Sequence, residues 1–433
     1  MKALNVLRTC AFASALLVAL FAIAQQPESA DRQTMQHATA GATSLVNLVE
    51  EATSQNPQIL AANHGYKAAL SGPKYAAALP NTQFMVQQLS VGSPRPFAGY
   101  TNSDFAYIGI GASQEFPYPG KLKLRAEVAG READSIRAQA DSISRQVVER
   151  VKTVYFRMAY VQLSILLLQH HDQVLAEMRQ IAESRYRVGQ GNQQEVLKAQ
   201  LQHTRILQEV AMGRREEGQL QAQLKQLLNR AQDSPDIIAQ PLAERPLPYA
   251  SSQLLRLAQE QNPEIHSQQA MLKQAESRVT LAQKEFLPDF NVQYMYQNTD
   301  RKFRDYYMLT LGVTLPNRGR RRAELAEARE KQERAVQELR AETQRQLSEI
   351  QQQFVLAQTS TEQLKIYKEG LIPQATVTFR SALAAYQSNR QDFQTLLASF
   401  LDALDLDLQY QRELADHESA LARIEALTGV TLP

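Results

Sequence analysis

Two acidic side chains in polar turns are the residues of this chain best placed to do chemistry. Glu195 closes the stretch Tyr186-Arg187-Val188-Gly189-Gln190-Gly191-Asn192-Gln193-Gln194-Glu195, and Asp392 lies in Tyr386-Gln387-Ser388-Asn389-Arg390-Gln391-Asp392-Phe393-Gln394-Thr395. A carboxylate there can hold a cation or a basic partner; it can equally cap or solvate the helix that follows. His170-His171 is the one adjacent histidine pair, but neighbouring helix residues point about 100° apart, so a solvated or interfacial role outweighs a metal site. Lys121, Lys123 and Arg125 form one basic cluster, and Arg318, Arg320, Arg321 and Arg322 form another. Each stands at the start of a helical stretch, where cations oppose the helix dipole. Membrane phosphate groups or solvent are the open alternatives for them. No nucleophile elbow, Gly-rich phosphate loop or zinc motif is present, so the chain is not expected to be an enzyme, and no cofactor or resident metal is implied. A formal charge of +2 lacks the footprint of a nucleic-acid binder.

The elements that must position these turns repeat at half-chain distance. Tyr186 and Tyr386 lie 200 residues apart, and the Asn56-Pro57-Gln58-Ile59 break recurs as Asn262-Pro263-Glu264-Ile265. Both helices that follow run on to a Leu-Pro, at Pro80 and Pro288, where strands begin. The limbs from Gly120 to Tyr186 and from Gly319 to Tyr386 match to within a residue. Ile136, Ala140, Ile143, Val147, Val151, Val154, Met158, Val161, Ile165 and Leu168 recur by threes and fours, a coiled-coil seam. Leu347, Ile350, Phe354, Ala357 and Leu364 keep the same rhythm in the second limb. At a rise of about 1.5 Å per residue each limb reaches roughly 100 Å, a rod rather than a membrane span. The turns are therefore placed together at one end of that rod.

Strands are expected over about 82–92, 105–116, 290–298 and 305–315. Phe290, Val292, Tyr294 and Tyr296 alternate with mostly polar residues, and Tyr307, Leu309, Leu311 and Val313 repeat the pattern. Such strands fit either a membrane barrel or a soluble sheet packed on the helices. Four cannot close a barrel, since about eight is the minimum, so a membrane barrel requires several copies. Lys2 and Arg8 before a largely apolar run, with Ala22-Ile23-Ala24 at its end, mark residues 1–24 as a signal peptide. That segment carries the single cysteine, Cys10. Residues 25–43 read as a mobile leader, 44–234 as a first repeat, 235–250 as a Pro-rich linker and 251–433 as a second repeat. The fold class is mainly α with a small β part. No later apolar run reaches the length of a helical membrane span.

Signal peptide, paired Asn-Pro-x-Ile breaks, Leu-Pro before each strand pair, matched long helices, and turns reading Tyr-x-Val-Gly and Tyr-x-x-x-x-x-Asp-Phe together resemble the TolC-type outer-membrane efflux proteins. The resemblance covers about Leu45 to Leu427. It implies a homotrimer in the bacterial outer membrane, each chain giving four strands to one twelve-stranded β-barrel above a periplasmic α-helical tunnel. Such proteins are passive exit ducts that dock through their helix tips onto a periplasmic membrane-fusion adaptor and an inner-membrane pump, of RND type by preference. The same resemblance makes Val188, Gly189, Gln194 and Glu195 the first docking or gate tip, and Asn389, Gln391, Asp392 and Thr395 the second. Placed at the periplasmic rim of such a barrel, Lys121, Lys123, Arg318, Arg320 and Arg321 have outer-membrane lipid phosphate or solvent as their open alternatives. Thr395 and Ala398 stand where relatives carry two aspartates, and Gln391 where they carry an arginine, so the gate chemistry is left open. Gln114-Glu115-Phe116-Pro117-Tyr118-Pro119-Gly120-Lys121-Leu122 is nearer the heavy-metal efflux branch. The rival reading is a periplasmic coiled-coil scaffold or adaptor without a pore.

Overall fold

The computed structural model describes residues 42–90, 106–299 and 303–432. The expected signal peptide, nearly all of the leader and most of the first strand loop lie outside them. Among the described residues three short helices come first: α1 (Leu45–Gln55), α2 (Pro57–Ala69) and α3 (Gly72–Ala77). Strands β1 (Gln83–Leu89) and β2 (Tyr107–Phe116) follow, then the long helices α4 (Lys121–Arg187) and α5 (Gln193–Leu227). After an irregular linker come α6 (Ser251–Gln261), α7 (Pro263–Lys284), β3 (Asp289–Thr299) and β4 (Phe303–Thr314). Helix α8 (Arg318–Ile366), a π turn (Tyr367–Leu371), α9 (Ile372–Gln387) and α10 (Phe393–Thr428) complete the chain.

The Asn-Pro breaks do more than stop a helix. Asn56 Oδ1 accepts from the backbone N–H groups of Gln58 and Ile59 at 2.8 and 3.3 Å, while its Nδ2 donates to Leu227 O at 2.8 Å. Asn262 does the same with Glu264, Ile265 and Leu427 O at 2.9, 3.2 and 2.9 Å. Proline at the first helical position needs no donor, so the pair starts one helix and ties it to the far end of a return helix. Ser44 sits at the expected N-cap but makes no side-chain cap bond.

Helix α4 runs 67 residues without interruption. Its middle buries the expected seam, including Val147, Val151, Met158, Val161 and Leu168. Nearer the sheet the seam changes to small residues: Ala133, Ser135, Ala138 and Ser142 pack on α7, with Ser135 and Ser267 hydroxyls 3.1 Å apart. One stretch of α4 has a mean hydropathy of 1.3, enough by composition to cross a membrane, yet half of it is buried in the bundle. The second limb departs from the expected match. Pro373 cannot donate to the preceding turn, and the chain absorbs the loss by widening: Ile372 N–H bonds Tyr367 O, a π spacing.

The linker is drawn into a belt around the bundle. Gln221 brackets Ile237 through both its N–H and C=O at 3.0 and 2.7 Å, and Thr43 pairs with Ala239 as a parallel bridge. Arg245 reaches Glu418 at 2.5 Å and Glu425 at 3.3 Å, and Lys152 also pairs with Glu425.

The four strands form one antiparallel sheet in the order β1-β2-β3-β4. Register aligns Phe84, Ala112, Tyr294 and Leu309 in one row and Val86, Ile110, Tyr296 and Tyr307 in the next. Most rows on this face are dominated by apolar or aromatic residues, the row of Gln88, Ile108 and Asn298 being the exception, and the face is open: Phe84 is 84% exposed and Leu311 72%. The opposite face carries Gln87, Gly109, Gly111, Ser113, Gln293, Gln297, Thr310 and Gly312, and it is the more enclosed, with Ser113, Met295 and Gln297 buried. A soluble sheet packed on helices would bury its apolar face. Here that face is the exposed one, as in a wall between lipid and water.

Candidate functional site: the helix tips

Both long limbs end in the same backbone device. Gly189 takes φ 75° and Asn389 φ 60°. Gln190 N–H donates to Arg185 O at 2.9 Å and Gly189 N–H to Tyr186 O at 3.1 Å, a Schellman closure. In the second turn Arg390 N–H donates to Ala385 O at 2.8 Å and Asn389 N–H to Tyr386 O at 3.1 Å. Glycine and asparagine are the residues that tolerate this left-handed conformation. Gly189→Ala has open space for its methyl group, so its cost of about 1–2 kcal/mol is backbone strain alone. Thermal unfolding should register that loss, while Gly191→Ala meets Tyr186 N at 3.0 Å and should cost more.

The structure brings the two turns together. Tyr386 is fully buried, and its hydroxyl donates to Glu195 Oε2 at 2.7 Å. Arg185 donates to Tyr386 O and Asn389 Oδ1, and its guanidinium carbon sits 4.4 Å from the centre of the Tyr386 ring. Phe393 packs edge-on against that ring at 5.6 Å. Burial and the Glu195 carboxylate both push the Tyr386 hydroxyl well above its ordinary pKa, so it stays protonated and donating. Glu195 thus faces inward on a partner, whereas Val188, 69% exposed, and Gln194 face out.

Asp392 does what a helix-capping carboxylate does. Its Oδ1 accepts from Thr395 N–H at 2.8 Å and from the Thr395 hydroxyl at 2.9 Å. Those bonds, the backbone one first, hold its carboxyl below the usual range. A depressed carboxyl contributes above its unfolded pKa and loses that contribution on acidification through its folded one, so the cap is complete at neutral pH. Asn192 caps α5 in the same way through Gln194 N–H at 3.1 Å. Gln391 is half-buried beside it, and Asn389 and Thr395 are exposed.

Sequence reasoning missed Arg185 and Tyr386 as the two residues that join the turns. The repeated tyrosine was the available signal, but Tyr186 is 48% exposed and Tyr386 fully buried, so the same spacing hides two different roles.

The basic clusters separate. Lys121, expected at a lipid-facing rim, is fully buried: its ammonium donates to Asp289 at 2.9 and 3.1 Å and to Leu287 O at 2.9 Å, with Glu285 at 3.2 Å. It opens α4 against the start of β3, where two carboxylates draw it in. Arg125 and Arg321 also pair with Glu285, at 3.0 and 3.4 Å, and Arg320 and Arg321 with Glu324 at 2.8 and 2.6 Å. Lys123 and Arg318 remain exposed. His171 lies 3.5 Å from Asp407 and stacks on Phe400 at 5.4 Å. Among the described residues no group of three His, Cys, Asp or Glu side chains could hold a metal ion.

An outward apolar sheet standing over two long helical hairpins, whose tips clasp each other, defines the protomer of an outer-membrane duct. The chain belongs to the outer membrane efflux protein family, whose model matches residues 48–230 and 254–427. It is accordingly an outer-membrane exit duct for efflux, with its helical part in the periplasm, rather than a scaffold without a pore. The outer membrane protein VceC of Vibrio cholerae superposes with a TM-score of 0.76 at 18% identity, over 89% of this chain and 96% of that one. The CmeC outer membrane channel of Campylobacter jejuni gives 0.76 at 14%, over 89% and 85%. The MtrE channel of Neisseria gonorrhoeae, solved in its open state, gives 0.73 at 16%, over 89% and 88%. A comparison with curated protein sequences finds no match.

Proposed function

We propose that three copies of this chain close one twelve-stranded barrel and continue it as an α-helical tunnel. The tunnel's tips dock on a periplasmic adaptor and through it on an RND-type inner-membrane pump. The observation that carries this reading is the sheet: among the described residues its outer strands, β1 and β4, each pair with one strand only, and one face is mainly apolar. Unpaired edges in lipid leave backbone groups unsatisfied, which only closure repairs. The helices add a second reason. Leu197 and Leu201 on α5 are each 55% exposed, and Ile366 and Val377 on the other limb are 57% and 66% exposed, apolar stripes suited to a neighbouring copy.

The chain is built as two repeats, 44–234 and 251–433, so each protomer supplies two tips. Val188, Gly189 and Gln194 on the first, with Asn389, Gln391 and Thr395 on the second, offer the adaptor an exposed surface. Glu195 and Asp392 act behind it, on the clasp and the cap. Lys123, Arg318 and Arg320 lie at the rim where phosphate groups are within reach. Energy comes from the pump.

Protein extracted in detergent should have a trimer's mass by light scattering and conduct in planar bilayers. A monomer soluble without detergent, giving no conductance, would overturn the assembly. Val188→Asp should weaken capture of the adaptor by at least tenfold while leaving trimer mass and conductance unchanged; unchanged capture would remove the tip surface from the reading.

A further inference from the structure

We propose that the barrel lumen carries a thioether site for a soft monovalent cation, Cu(I) or Ag(I), formed by Met85, Met295 and Met308. The inference rests on the barrel reading above, which makes the enclosed face of the sheet the lumen wall.

The register puts these residues in one row: Met85 opposite Gly111, Gly111 opposite Met295, and Met295 opposite Met308. The chain has nine methionines. All of those in the strands fall in this row, and the lipid-side face of the strands has none. Met295 and Met308 are directly opposed, so their side chains are neighbours. Met85 is two strands from Met295, roughly 10 Å at the usual spacing of about 4.8 Å, and the slot between them holds only Gly111. A Cβ there would lie 2.8 Å from Tyr294 O and 3.4 Å from Met295 Cβ. With no side chain between them, Met85 and Met295 can converge from either side.

Two of the three sulfur atoms already meet donors on the same face. Gln293 Nε2 approaches Met85 Sδ at 3.2 Å and Gln297 Nε2 approaches Met295 Sδ at 3.3 Å. A thioether is a weak acceptor, so these contacts orient the sulfur at small cost and yield readily to a cation that binds sulfur well. The rows beside it carry Gln87, Gly109, Gln297 and Tyr306 on one side and Gln83, Ser113, Gln293 and Thr310 on the other, mostly polar neighbours with which three unbranched thioethers build no packing core. Thioether ligands select soft cations, whereas Ca(II) and Mg(II) demand oxygen. Neutral ligands hold such an ion without fixing it by charge, which suits a duct that must release what it binds.

The test uses detergent-solubilised protein in chloride-free nitrate buffer, titrated with silver nitrate by calorimetry, beside the variant Met85→Leu/Met295→Leu/Met308→Leu. Methionine-to-leucine exchange keeps volume, and trimer mass checks the assembly. Wild type should bind one Ag(I) per chain more than the variant, or bind the shared stoichiometry at least tenfold more tightly, and calcium nitrate should bind neither. Equal Ag(I) binding by the two proteins, or none by wild type, overturns the site. In bilayers Ag(I) should lower wild-type conductance and leave the variant's unchanged. A protein that conducts but ignores Ag(I) sinks the thioether site alone; one that never conducts sinks the barrel reading, whatever the calorimetry gives.

Discussion

Arg185→Ala is expected to raise the open-to-closed ratio of wide-open conductance states about a hundredfold in planar bilayers. The arginine joins the first tip to the second by two charge-assisted bonds, to Tyr386 O and Asn389 Oδ1, and by its stacking over the Tyr386 ring at 4.4 Å. Bonds to charged groups are worth about 1.5–3 kcal/mol each when shielded, and an exposed cation–ring contact about 0.5–1. The tip is partly solvated, so a total near 3 kcal/mol is the sound expectation, or about two decades in a two-state equilibrium. Tyr386→Phe removes only the 2.7 Å bond to Glu195 and keeps the ring stacks, so its effect should be nearer tenfold or less. The wild-type clasp should hold across neutral and mildly alkaline pH. A group whose folded pKa is raised contributes fully below its unfolded value and loses that contribution only as pH rises through the folded one. For Tyr386 both lie at or above 10.0. Arg187→Ala, two residues on and exposed, is the control. Closed-state conductance identical to wild type in Arg185→Ala would show that the clasp does not hold the tips shut.

The long helices, the strand pairs and the tips were legible because each obeys a local rule. Seam residues recur by threes and fours, strand residues by twos, and Asn-Pro marks a helix start wherever it falls. Tertiary pairings obey no such rule. Nothing in the spacing of Tyr186 and Tyr386 says which ring is buried against Glu195, since that depends on how the hairpins lie side by side. Capping was one of the two roles open to Asp392 in the sequence, and the geometry gives it that role through Thr395. The π turn was foreshadowed by Pro373, whose missing N–H must be absorbed somewhere. Lys121 was the largest departure: a cation at a helix N-terminus reads as misplaced until Glu285 and Asp289, more than 160 residues away in sequence, are brought against it.

That cluster carries the second large effect. Lys121→Met should lower the stability of the folded chain by about 3–5 kcal/mol, the usual consequence of stripping one partner from a buried ion pair. The ammonium is fully buried and serves Asp289, Glu285 and Leu287 O together, so its loss strips Asp289 and Leu287 O of their cation, while Glu285 keeps Arg125 and Arg321. Asp289 also accepts from Tyr118 N–H at 2.8 Å, which fixes the turn between β2 and α4 to the start of β3. The damage should therefore appear where strand passes into helix, as loss of heat-resistant trimer in detergent and earlier proteolysis near residues 117–121. A lysine serving lipid would behave otherwise: its removal would leave the purified trimer's melting unchanged and alter only lipid retention. Lys121→Met/Asp289→Asn separates the two further. If the cluster is a buried pair, the double variant should recover part of the lost stability, because a neutral amide at 289 keeps the Tyr118 bond without an unpaired charge. Additive losses in the double variant would mean that the lysine and the aspartate do not act on each other, and the buried-pair account of this junction would fail.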